Sequence, residues 1–329
     1  MATKKEDYLC LSAMLRAREP RMLSREKAER MLDAPSFADC AKLLTDCGYE
    51  DLSQMKAGEI EALLAERRAA VFKELESMTP NKALVDFFRS KYDYHTAKVV
   101  LKGDAQGLDG SALLSVSGRV KPAALTAAIR EDNFRELPKR FAAAVQEASS
   151  VLARTANPQL ADFALDKAYF AELTELSDEV GSSFLRGYAA ILADSTNLRS
   201  AVRTLRMGKD AGYLEEALVP GGTVSPKFVA AAGGEGLAAL FGSGKLAAAA
   251  ALGAAAVEGG PLTAFELACD NAVNRYLAQA KLVGYGEETV VAYLAAVENE
   301  ITAVRMILTD RLAGIAPQVI RERLRDLYA

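Results

Sequence analysis

The chain has 329 residues, half of them hydrophobic, with 40 Lys and Arg against 44 Asp and Glu. That is ample material for a buried core and excludes a disordered chain. A net charge of -4 without a long block of either sign offers no basic face for nucleic acid, and four cysteines with no C-x-x-C pair beside one histidine offer no metal site.

Along the chain, two lysines precede the apolar stretch 8–15, but Arg16 ends it with no small-residue cleavage site, so no signal peptide is expected. Leu23-Ser24-Arg25-Glu26 reads as a helix start, an apolar residue followed by a serine able to cap the first turn. Cys40 and Cys47, seven apart, fall on one face of a helix and are expected as buried free thiols in a cytoplasmic chain. Helical sequence continues through Ala70-Val-Phe-Lys-Glu-Leu75 into a long amphipathic helix carrying Asp93 and Lys98. His95 lies on that helix and reads as a surface or packing histidine, with no catalytic role.

Val120-Lys121-Pro122-Ala123 is a second helix start, since proline suits a first turn whose N–H is unpaired anyway. It leads through Ala168-Tyr-Phe-Ala-Glu-Leu173 to a helix carrying Asp194 and Arg199. Val224-Ser225-Pro226-Lys227 is the third start, followed by Gly242-Ser243-Gly244-Lys245. A phosphate-binding loop would need glycine at Ala239 and a hydroxyl at Leu246, and the dinucleotide form would need a preceding strand where 236–241 is helical. A turn between helices is expected there, and no cofactor. The uncharged run Leu246–Val257 has 12 residues, whereas a membrane-spanning helix needs about 20. The chain closes with Ala272-Val-Asn-Arg-Tyr-Leu277, a helix carrying Glu300 and Arg305, and an arginine-rich tail.

These elements describe an all-α chain with one unit repeated three times, over 1–110, 111–215 and 216–329. The helix starts at 23, 120 and 224 are 97 and 104 residues apart, and the segments beginning at 70, 168 and 272 keep nearly the same spacing, 98 and 104. Each unit ends in a helix with an acid five residues before a base: Asp93 and Lys98, Asp194 and Arg199, Glu300 and Arg305. Aligned on that pair, the helices share an apolar stripe: Phe87, Tyr188, Leu294; Tyr94, Ser195, Ile301; Ala97, Leu198, Val304; Leu101, Val202, Leu308. Only Ser195 interrupts it. Five residues turn a helix by about 500°, so acid and base stand roughly 140° apart, border the stripe on opposite sides and do not pair with each other. Two readings follow for these six residues: inter-helix or solvated charges flanking a packed seam, or contacts to a central protein partner. A period near a hundred favours three small domains over a helical solenoid.

The acid-x4-base helices, the opening Arg16-Ala-Arg-Glu-Pro-Arg-Met-Leu23 and the tail Gly314-Ile-Ala-Pro-Gln-Val-Ile-Arg-Glu-Arg-Leu-Arg-Asp-Leu-Tyr328 together resemble the C subunit of bacterial and archaeal V-type rotary ATPases, whose eukaryotic counterpart is the d subunit. The likeness covers essentially the whole chain and is sharpest at 93–102, 194–203 and 298–305. It implies a funnel of three similar helical domains around a pseudo-threefold axis, on the cytoplasmic face of the membrane. The implied role is a non-catalytic central-stalk piece that joins the rotor shaft subunits to the membrane rotor ring and carries torque between them. The alternative is a freestanding helical adaptor.

Overall fold

The computed structural model describes residues 3–329; Met1 and Ala2, at the head of the stretch read above for a signal peptide, lie outside the described residues. In chain order the helices are α1 (Leu9–Arg18), α2 (Arg25–Asp33), α3 (Phe37–Lys42), α4 (Ala57–Met78) and the long α5 (Ala83–Gln106). There follow α6 (Pro122–Arg130), α7 (Lys139–Thr155), α8 (Pro158–Val180) and the long α9 (Ser183–Arg206). The last third holds α10 (Ala211–Ala217), α11 (Pro226–Ala231), α12 (Gly234–Phe241), α13 (Ala247–Val257), α14 (Leu262–Ala278), the long α15 (Glu287–Leu312) and α16 (Pro317–Arg323). The fold is all-α, as expected, and among the described residues no helix is long and apolar enough to cross a membrane.

The three starts are helix N-termini: α2 opens after Ser24, whose hydroxyl accepts from the Lys27 N–H at 3.3 Å, and Pro122 and Pro226 occupy the first positions of α6 and α11. Ser225, which holds the place of Ser24, makes no such bond; proline at the first position leaves one fewer N–H to serve. The long helices also stop alike. Gly107, Gly208 and Gly314 each lie 14 residues beyond the repeated acid with φ of 65°, 65° and 72°, a left-handed backbone that a side chain would strain. At each stop the next N–H folds back onto the helix, Leu108 to Gly103 O (2.9 Å), Lys209 to Thr204 O (3.1 Å) and Ile315 to Asp310 O (2.9 Å), which satisfies an orphan carbonyl.

All twelve stripe positions are buried, Ser195 among them. Much of what they bury against lies outside their own hundred-residue span. Tyr94, Ala97 and Leu101 of α5 share one core with Leu125 of α6, Phe141 and Val145 of α7 and Leu165 of α8, with the Tyr94 and Phe141 rings edge to face at 5.0 Å. Likewise α9 packs on α11, α12 and α13 as well as on its neighbours α8 and α10, while α15 packs on α1, α3 and α4 near the start of the chain. Each long helix therefore helps to complete a core whose other helices lie further along the chain, and the last helps to complete the one at its start. The chain accordingly divides into two compact units, one made of residues up to Asn81 with Cys269–Ala329 and the other of Lys82–Ala268.

Cys40 and Cys47 are buried and free, but they do not share one helix: α3 ends at Lys42 and a 3-10 segment, Leu43–Cys47, carries the second thiol. Burial pushes the Cys40 thiol up to about 11, which keeps it protonated and unreactive.

Candidate functional site

The repeated acids face inward. Asp93, Asp194 and Glu300 are 1%, 5% and 3% exposed, and each carboxylate accepts a backbone N–H from the residue just before the helix start of the following repeat. Asp93 Oδ1 takes the Val120 N–H at 3.0 Å, Asp194 Oδ1 takes Val224 at 3.1 Å, and Glu300 Oε2 takes Leu23 at 2.7 Å. These apolar residues sit one position outside the helix cap, where no intrahelical carbonyl reaches their N–H. A buried ionised acceptor therefore pins the entry of a helix whose core the same long helix lines.

The second oxygen of each acid is served differently. Asp93 Oδ2 accepts from Arg119 Nε at 2.6 Å, and the same guanidinium donates to Glu172 Oε1 at 2.6 Å. Asp194 Oδ2 accepts from the Thr223 N–H (3.0 Å) and hydroxyl (2.5 Å). Arg119 and Thr223 hold equivalent places, one before the anchored valine. Their counterpart ahead of Leu23 is Met22, which has no donor side chain, and here Glu300 Oε1 accepts from the Tyr49 hydroxyl at 2.8 Å with Arg67 Nη2 at 3.5 Å. Burial raises the Asp93 carboxyl above its ordinary value, opposed by the charge and hydrogen bond of Arg119 and by the Val120 N–H. Burial, reinforced by the negative Glu300, lifts the Tyr49 hydroxyl well above the usual tyrosine range, so it remains a donor.

Glycine makes room for the shorter acids. A Cβ on Gly118 or Gly222, two residues before the anchored valine, would collide with Oδ1 of Asp93 or Asp194 respectively. In the first repeat that position is Arg21, which is exposed, and the acid opposite it is the longer glutamate. One extra methylene lets the backbone stand off far enough to carry a side chain.

The bases serve the same seams from the other border of the stripe. Lys98 pairs with Asp166 of α8 at 2.6 Å, Arg199 with Glu266 of α14 at 2.8 Å, and Arg305 with Glu61 of α4 at 2.7 Å. In every case the partner lies on the middle helix of the following repeat. Glu61, Asp166 and Glu266 are thus equivalent, 105 and 100 residues apart, whereas the segments beginning at 70, 168 and 272 are 98 and 104 apart. The two registers differ by seven residues and by four, two helical turns and one, each of which keeps the same face inward.

The structure brings each acid-base pair together on one interface without bringing its members into contact with each other, and the bases keep partial exposure. The sequence reading missed the partners Arg119, Thr223, Tyr49, Glu61, Asp166 and Glu266. A legible signal for the first two was their shared place immediately before the repeated apolar anchor. His95 is exposed, its Nε2 3.1 Å from the Leu113 carbonyl oxygen, and 242–245 forms the turn between α12 and α13. Among the described residues no three His, Cys, Asp or Glu side chains are grouped to hold a metal ion.

Residues 11–323 match the family described as ATP synthase (C/AC39) subunit, and the chain belongs to that family. It is similar to the C subunit of the V-type sodium ATPase of Enterococcus hirae, with 22% identity over 326 residues, 98% of this chain and 99% of that one.

Proposed function

We propose that this chain is the central-stalk C subunit of a V-type rotary ATPase, a non-catalytic piece that joins the rotor shaft to the membrane rotor ring and passes torque between ATP turnover and proton or sodium transport. The observation that carries this reading is the family match from residue 11 to 323, together with an end-to-end likeness to a relative named as the C subunit of such an enzyme. The seams add a physical reason. A torque-bearing coupling needs helices that do not slide past one another, and a buried carboxylate gripping a helix entry resists sliding more sharply than apolar packing alone, because a shift of one residue removes its donor.

The role in partner contact considered for the six charged residues narrows to Lys98, Arg199 and Arg305, whose side chains are 23%, 22% and 37% exposed; the three acids offer no surface. Beside them, the three helix stops each expose an apolar group, Leu108 at 64% and Ile315 at 36% just after the stop glycine and Met207 at 57% just before it. Exposed apolar side chains at the end of every long helix fit a contact made by all three.

A membrane pull-down of the tagged chain from its host, with the bound proteins identified, tests the reading. Recovery of rotor-ring and shaft subunits, reduced by the combined change Leu108→Ser, Met207→Ser and Ile315→Ser, is the expected result. Recovery of the chain with no rotor protein would favour the freestanding adaptor.

A further inference from the structure

The three seams are alike in chemistry and unlike in how the chain joins them. Asp93 reaches a donor 27 residues on and Asp194 one 30 residues on, within a single continuous stretch, 82–268. Glu300 reaches a donor 277 residues away, and the compact unit it belongs to is assembled from the two ends of the chain.

The contact between those ends is rich in charge. Besides Glu300, Arg305 holds Glu61, Arg68 Nε lies 3.1 Å from Glu298, and Arg321 holds Glu29 at 2.6 Å and Asp33 at 2.9 Å. Arg16 donates to the carbonyls of Ala280 (2.5 Å) and Val283 (2.8 Å). Most of these groups keep some exposure, so water and salt compete for them directly. The joins within 82–268 hold ion pairs too, Lys98 with Asp166 and Arg119 with Asp93 and Glu172, but there the partners lie on one continuous stretch of chain.

We infer that the seam at Glu300 is a clasp, a place where the N-terminal segment, 3–81, releases from the C-terminal segment, 269–329, in one step while 82–268 stays folded. Leu23, Tyr49 and Arg67 all converge on the one carboxylate. Losing it disconnects three separate parts of the N-terminal segment at once, which makes release concerted. Local openings of this kind, costing less than global unfolding, are a general property of folded proteins.

Hydrogen exchange on the full-length chain, read peptide by peptide through a series of low urea concentrations, tests the clasp. The expected result is that peptides of α2, α4 and α15 share one opening transition at lower urea than peptides of α5, α7 and α8. Glu300→Gln, which keeps the shape and loses the charge, should speed exchange in the first set on the order of tenfold, the weight of one charge-assisted hydrogen bond, and leave the second set unchanged. Asp194→Asn should do the reverse, loosening α9 and α11 without touching α2 or α4. A single transition shared by all peptides of the unsubstituted chain overturns the inference whether or not the variants fold. So does equal acceleration of both sets by Glu300→Gln.

Discussion

The seams at Asp93 and Asp194, compared with the one at Glu300, show two ways of meeting the same requirement. Where the anchored helix follows a short loop, the acid is aspartate and the backbone is pulled close enough that only glycine fits opposite it. Where the two ends of the chain meet, the acid is glutamate, the facing position carries arginine, and two further donors, Tyr49 and Arg67, come in. Closing 277 residues of unstructured chain costs about 2 kcal/mol more than closing 27. The number of hydrogen bonds does not rise to match, for Glu300 accepts two and Asp194 three. What differs is the reach of the acid and where its donors come from.

The sharpest way to break the comparison is at Arg119, a cation where the other two seams have Thr223 and Met22. Arg119→Ala leaves Asp93 and Glu172 buried without their shared cation, and the loss expected in urea denaturation is about 3–5 kcal/mol. Smaller effects should separate the two kinds of seam directly. Gly118→Ala and Gly222→Ala force a methyl group against a carboxylate fixed by its hydrogen bonds and should each cost about 1–3 kcal/mol, while Arg21→Ala should stay within about 0.5 kcal/mol. If Arg21→Ala costs as much as the glycine changes, the longer acid does not provide the slack described.

The smallest effect concerns acid. Arg18 holds the Glu74 carboxyl below its ordinary value of 4.5, chiefly through their hydrogen bonds. A depressed folded value means the pair stabilises the protein above the ordinary carboxyl range and stops doing so as pH falls below 4.5 through the folded value. Glu74→Gln should lower the melting temperature slightly at pH 7 and flatten its decline below pH 4.5, as scanning calorimetry over that range would record.

Much of this was readable before any coordinates. The helix starts, the stripes and the acid-base spacing are local patterns, fixed by helical period and capping chemistry, and they sit in the structure at the residues named. Two things were not readable, for one reason. Asp93 and Val120 were both singled out, as were Asp194 and Val224, and Glu300 and Leu23, but nothing in a one-dimensional period says that a repeat's last helix binds the next repeat's first. The middle-helix register failed similarly, because shifting an amphipathic helix by one or two turns leaves its apolar face in place and only a long-range ion pair tells the alternatives apart. Ser195, which looks like a flaw in the stripe, is buried beside Asp194 and shows that a hydroxyl is tolerated at that point of a helix interface.

That α15 supplies the core for α1, α3 and α4 has a consequence at the ribosome. The first 81 residues emerge with their apolar faces uncovered and stay so until residue 312 has been made, roughly 10 to 50 s later at ordinary rates of elongation. The middle of the polypeptide meets its own partners long before that, so the beginning is the last part to mature. In a cell, the nascent N-terminus is where a chaperone would be needed.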